Sequence, residues 1–173
     1  MDSMLKSQPP TEPVMAVKPI PSGYHSITPS AIVDDAKKAM EFYTKAFDAK
    51  ETYRLPMGDK IGHAEMQIGD SRFMLSDEFK EWDALSPKSR GGSTGGFMIY
   101  VADVDAAIDQ AVKAGAKLVQ AAEDQFWGDR MGTVLDPFGH KWMLGTHKED
   151  VSDEEMKRRG EEWVKSMQEK TKH

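Results

Sequence analysis

The sequence predicts an α+β protein made of two tandem βαβββ modules followed by a C-terminal helix. Three observations lead there. Twice, behind Asp35 and again behind Asp103, apolar residues recur at helical spacing after an acidic cap. Arg72-Phe73-Met74-Leu75 returns 69 residues later, in order of chemistry, as Lys141-Trp142-Met143-Leu144. Asp136-Pro137-Phe138-Gly139 reads as a tight turn between two strands, because Pro137 fixes its φ and Gly139 permits a positive one.

The elements follow in order. Residues 1–20 carry Pro9, Pro10, Pro13 and Pro19 with little apolar content and read as a flexible extension. The domain proper spans 21–149, with module one at about 21–78, a linker at 79–94 and module two at about 95–149. Ser26 to Val33 is strand-like, and Ala36, Ala39, Met40, Tyr43, Ala46 and Phe47 then mark the first helix. Three strands follow near Glu51 to Leu55, Ile61 to Ile68 and Arg72 to Ser76. Module two repeats the plan with a strand from Phe97 to Val101 and a helix carrying Val104, Ala107, Ile108, Ala111 and Val112. Its later strands lie near Lys117 to Ala121, Met131 to Leu135 and His140 to Thr146. Asp103 stands 68 residues after Asp35, and Gly115 stands 67 after Asp48, so both helices should end in a left-handed residue. Beyond them, 150–173 reads as an amphipathic helix opened by Ser152 and Glu155 at capping-box spacing and interrupted by Gly160.

Composition narrows the function. A net charge of -6 with scattered lysines and arginines offers no basic surface to nucleic acid or to an anionic membrane. No apolar run approaches the roughly 20 residues that span a bilayer, and no signal pattern opens the chain. The absence of cysteine removes disulfides, thiolate metal sites and thiol nucleophiles, which fits a cytoplasmic protein.

The order of elements, the repeat, and the stretches HAEMQIGDSRFMLSDE (63–78), FWGDR (126–130) and DPFGHKWML (136–144) resemble the vicinal oxygen chelate superfamily, the fold of glyoxalase I, bleomycin-resistance proteins and extradiol dioxygenases. Within it they look like the PhnB-like branch. The resemblance covers about Pro19 to Glu149. It implies that the modules form a curled, cup-shaped mixed sheet, and that the chain works as a homodimer. One departure is Phe47-Asp48-Ala49, where relatives commonly carry Phe-Gly-Ala; Asp tolerates the left-handed conformation, so the turn should survive.

Metal-using members of the superfamily place ligands on the first and last strand of each module. Those positions fall here on Thr28, Met74, Gly96 and Met143, none of which is His, Glu or Asp. Thioethers bind hard divalent ions poorly, so no metal and no other cofactor is expected. His63 and Glu65, two apart on one strand, are the fallback pair for a divalent ion; the plainer reading is a polar sheet surface.

The parity that turns Met74 and Met143 inward also brings in Arg72, Lys141, Thr28 and Tyr100, a lining suited to a small organic ligand, an anionic aromatic one above all. Alternatively the methionines fill a collapsed core. Trp127 has the chemistry to stack on such a ligand, Asp129 to orient a donor and Arg130 to fork onto an anion. Neighbours on a strand point to opposite faces, so Asp129 and Arg130 meet one ligand only if Gly128 makes a bulge; otherwise Arg130 fastens the loop. No nucleophile–base pair emerges. The expectation is therefore a binding protein without the family metal. The alternatives are a glyoxalase-like lyase, isomerase or dioxygenase-like enzyme with an atypical site, and a dimeric interaction module.

Overall fold

Each module turns on an aspartate that starts its helix. In the computed structural model, which describes residues 17–170, Asp35 accepts the Lys38 amide at 3.0 Å and Asp103 accepts the Ala106 amide at 3.0 Å. These caps open α1 (Ala36–Phe47) and α3 (Val104–Ala114) by satisfying amides that the helix itself leaves without acceptors. A second tether repeats as well. The Ala36 amide donates to Asp77 at 2.8 Å and the Val104 amide to Thr146 at 2.9 Å, so each helix start is held by the last strand of its own module. Asp48 and Gly115 close the helices at φ 54° and 119°, both left-handed as expected. Of the anticipated N-terminal extension, residues 1–16 lie outside the described residues.

Module one adds β1 (Ser30–Val33), β2 (Lys50–Met57), β3 (Lys60–Ile68) and β4 (Ser71–Asp77); module two adds β5 (Gly96–Tyr100), β6 (Lys117–Asp124), β7 (Asp129–Leu135) and β8 (Lys141–His147). β1 is shorter than the sequence suggested. Pro29 brings no N–H to a ladder, and its carbonyl instead accepts the Met74 amide at 2.8 Å. Between the modules, Ser86 caps the short helix α2 (Pro87–Arg90), with Pro87 in its first turn. The described residues end in α4 (Asp153–Lys170), 171–173 of the expected helix lying outside them; α4 runs unbroken through Gly160, which faces the Phe126 ring, 3.5 Å from where a Cβ would stand.

The expected single cup does not form. The described strands make two separate four-stranded sheets, ordered β1-β4-β3-β2 and β5-β8-β7-β6, neither closed nor curled into the other. In each, the first strand runs parallel to the last, with Ser30 opposite Met74 and Met98 opposite Met143, and the other pairs are antiparallel. The modules join through packing instead of edge pairing: α1 lies against α3, and rings from both halves meet around Trp142. Burial of apolar faces drives this choice. Phe73, Leu75, Ala64 and Met66 alternate inward on sheet one, as Trp142, Leu144 and Val134 do on sheet two.

One carboxylate locks the joint. Buried Asp136 accepts the Phe138 and His140 amides on Oδ1 at 2.9 and 2.8 Å, and the Tyr43 hydroxyl and Trp142 indole N–H on Oδ2 at 2.8 and 2.9 Å. The turn expected at 136–139 is therefore also the link between α1 of module one and β8 of module two. Burial and the neighbouring Asp136 charge push the Tyr43 phenol well above its usual range, so it stays a donor.

Candidate functional site

A cleft of about 880 Å³ opens where the two modules meet. Its walls are the segment before β1 (His25 to Pro29), the β3–β4 turn with the start of β4 (Ile68 to Phe73), and the whole of β5. The end of α1 and residues Ala107 and Gln110 of α3 close one side, and Trp142 forms part of the floor. The volume lies within the range of small-molecule sites. Phe97 stacks on Trp142 with ring centroids 4.3 Å apart, so the same aromatic joint that fastens the modules builds the floor.

Three of the residues singled out from sequence, Thr28, Arg72 and Tyr100, line this cleft together. Met74 and Met143 do not. They stand on two different sheets, Met74 opposite Ser30 and Glu65, Met143 opposite Met98 and Thr133. Lys141 sits on the same face as Met143, opposite Gly96, and is likewise not among the lining residues.

Trp127 and Asp129 gather with Tyr100 at the far end of β5. The Asp129 carboxylate is buried and accepts the Tyr100 hydroxyl at 2.8 Å and the Trp127 indole N–H at 3.1 Å; His147 Nδ1 lies 2.7 Å from its other oxygen. Burial acts to raise the Asp129 pKa, but the hydrogen bonds from His147, Tyr100 and Trp127 outweigh it and leave the group lowered. The same bond raises the Tyr100 phenol. Arg130 turns to the opposite side. It forks onto Asp105 of α3 at 2.7 and 3.0 Å and reaches Asp124 at 3.2 Å. Gly128 does not bring the two neighbours onto one face; its φ of 96° lets the 148–149 backbone close on its carbonyl at 2.9 and 3.0 Å.

His63 and Glu65 share a face, 3.4 Å apart. Glu65 is already engaged: it accepts the Tyr24 hydroxyl, and Arg72 Nη1 lies 3.6 Å away. The Tyr24 bond, with His63 and Arg72 behind it, lowers the Glu65 pKa. Tyr24 and His147 were not singled out from sequence. Tyr24 gives no local signal, since it lies outside regular structure. His147 was reachable, because pairing counted outward from the 136–139 turn puts it directly opposite Asp129.

The profile of the Glyoxalase/Bleomycin resistance protein/Dioxygenase superfamily matches residues 24–144. The chain belongs to this superfamily. Among relatives of the superfamily protein, Rv0887c of Mycobacterium tuberculosis is 43% identical over 135 residues, 76% of this chain and 79% of that one. Among solved structures, TioX from Micromonospora sp. ML1 is similar with a TM-score of 0.57 and 26% identity, over 70% of this chain and 97% of that one. The Arabidopsis thaliana gene product At5g48480 likewise gives a TM-score of 0.57 at 28% identity, over 70% and 98%.

The residues present do not fit the metal used by some superfamily members. Of the four positions the resemblance marks, Thr28 and Gly96 line the cleft and Met74 and Met143 are not among its lining residues, and none of the four offers an imidazole, carboxylate or thiolate. Nor do any three His, Asp or Glu side chains gather as a metal-holding group among the described residues. No helix among them is long and apolar enough to cross a membrane.

Proposed function

We propose that this superfamily member binds a small organic molecule in the inter-module cleft, without the metal of its metal-using relatives, and that it does so as a PhnB-like cytoplasmic homodimer. The cleft itself carries the reading: about 880 Å³, with an aromatic floor and a few polar side chains, Thr28, Arg72, Tyr100 and Gln110, at its walls. The branch assignment is supported by the stretches 63–78, 126–130 and 136–144. A partner copy is supported by Tyr53, Leu55, Met57, Leu118 and Met143, which leave apolar surface open to solvent. Trp127 and Asp129 serve the ligand indirectly in this reading, by holding the Tyr100 hydroxyl at the cleft's end.

Native mass spectrometry of the tag-free protein tests the ligand, the dimer and the metal-free reading at once. The expected spectrum is a dimer with a copurifying organic mass and no stoichiometric metal after dialysis. A monomer without adduct, together with no thermal shift across a panel of aromatic acids, alcohols and amides, would count against binding; a full equivalent of retained divalent ion would sink the metal-free reading.

A further inference from the structure

Arg72 stands in the cleft wall as a cation short of acceptors. Its side chain is only 26% exposed, its Nε is buried without a hydrogen-bond partner, and among the described residues that side chain has Glu65 as an ion-pair neighbour but makes no hydrogen bond. Its neighbours hold it in place without satisfying it. The Tyr24 ring lies 4.9 Å from the guanidinium carbon, and Gly23, at φ 81°, closes over the group so nearly that a Cβ there would stand 3.2 Å from Nε and 3.3 Å from Nη2. Glu65, which already takes the Tyr24 hydroxyl, comes no nearer to Nη1 than 3.6 Å. A guanidinium carries five N–H donors in a rigid fork that matches a carboxylate, and a half-buried one left without acceptors is costly unless something supplies them.

We propose that Arg72 is the anchor for a carboxylate on the cleft's ligand, and that the ligand is an aromatic or branched apolar monocarboxylate; this rests on the cleft reading above. The rest of the lining sets the remaining chemistry. Ile27, Ile68, Phe97 and Ile99 offer apolar contact for the body of the molecule. Asp48 and Asp70 also border the cleft, and Glu65 stands behind Arg72, so the local charge favours one negative charge over the two of a phosphate monoester. Gly23 and Tyr24 cover one side of the guanidinium and so restrict its movement. Arg72 thereby sets which ligands enter.

Isothermal titration with three probes of one shape, 2-naphthoate, 2-naphthyl phosphate and 2-naphthamide, tests the assignment. The full-length protein is expected to bind the carboxylate at least tenfold more tightly than the amide and more tightly than the phosphate, and Arg72→Gln should abolish the margin between carboxylate and amide. Arg72→Lys keeps the charge but not the fork and should retain only part of that margin, which guards against misreading a folding defect in the glutamine variant. Equal binding of carboxylate and amide overturns the anchor while leaving the cleft reading intact. Tighter binding of the phosphate overturns the monoanion assignment. No binding of any probe up to millimolar concentration overturns both the anchor and the cleft.

Discussion

Replacing Asp136 by Asn should cost about 3 kcal/mol of stability while preserving size and shape. The side-chain oxygen of Asn can still accept the Phe138 and His140 amides, which donate to Oδ1 at 2.9 and 2.8 Å. Its amide nitrogen then replaces Oδ2 and meets two donors. The Tyr43 hydroxyl can reverse and accept, but the Trp142 indole N–H cannot, so one buried donor faces another. A stranded buried donor costs roughly 1–3 kcal/mol, and two amide bonds that were charge-assisted each weaken by about 1 kcal/mol. Relief of the buried charge offsets about a third of that sum, leaving about 3 kcal/mol. Urea unfolding followed by tryptophan fluorescence reads it: with a slope near 2 kcal/mol per molar urea, the midpoint should fall by about 1.5 M. Adding Trp142→Phe removes the facing donor, so the double variant should lose less than the sum of the singles. A midpoint for Asp136→Asn within 0.2 M of the parent would refute the claim that this carboxylate fastens the modules.

Gly128→Ala would place a Cβ 2.2 Å from the Glu149 carbonyl oxygen at a φ of 96°, and a melting curve should register a loss of roughly 3 kcal/mol or more. Asp48→Gly removes a left-handed non-glycine residue at φ 54° and should raise stability by about 0.5 kcal/mol in the same assay; a loss would show that the Asp48 side chain contributes more than its conformation costs. His147 sits between Asp129 at 2.7 Å and Asp150 at 3.0 Å, and these bonds, Asp129 first, raise its pKa above the usual 6.5. Its contribution is thus complete below that value and fades as pH climbs through the raised one, whereas that of Asp129, whose pKa is lowered, holds above about 3.8 and fades in acid. Melting temperatures of His147→Ala and the parent should therefore converge on the alkaline side; a constant gap from pH 6 to 9 would contradict the bridge.

Local signals were legible wherever a residue acts on its own neighbourhood. The caps at Asp35 and Asp103, the left-handed closures at Asp48 and Gly115, and the turn at 136–139 all follow from chemistry within a few residues, and the structure has each. How the sheets relate was not legible. That depends on Tyr43, Phe73, Phe97 and Trp142 packing across modules, and nothing in a periodic pattern says which apolar faces will meet. The cleft shares this origin: its walls come from segments around 25–29, 68–73 and 96–101, which are adjacent only after the modules dock. Parity put Arg72 with Met74 and Tyr100 with Met143, but it could not tell that the cleft reaches only the first of each pair. For Arg130 the alternation of a strand was decisive, since it separates the guanidinium from Asp129 whatever the modules do.

That every strand among the described residues pairs within its own module also bears on how the chain finds its fold. The most distant partners are of the kind Ser30 with Met74 and Gly96 with Lys141, some 44 and 45 residues apart, so no ladder requires a search across the full polypeptide. Loop-closure entropy is therefore met twice over short spans instead of once over a long one. A lengthened linker between the halves would leave both sheets free to assemble at their own rates, and would slow only the step in which Trp142 finds Tyr43.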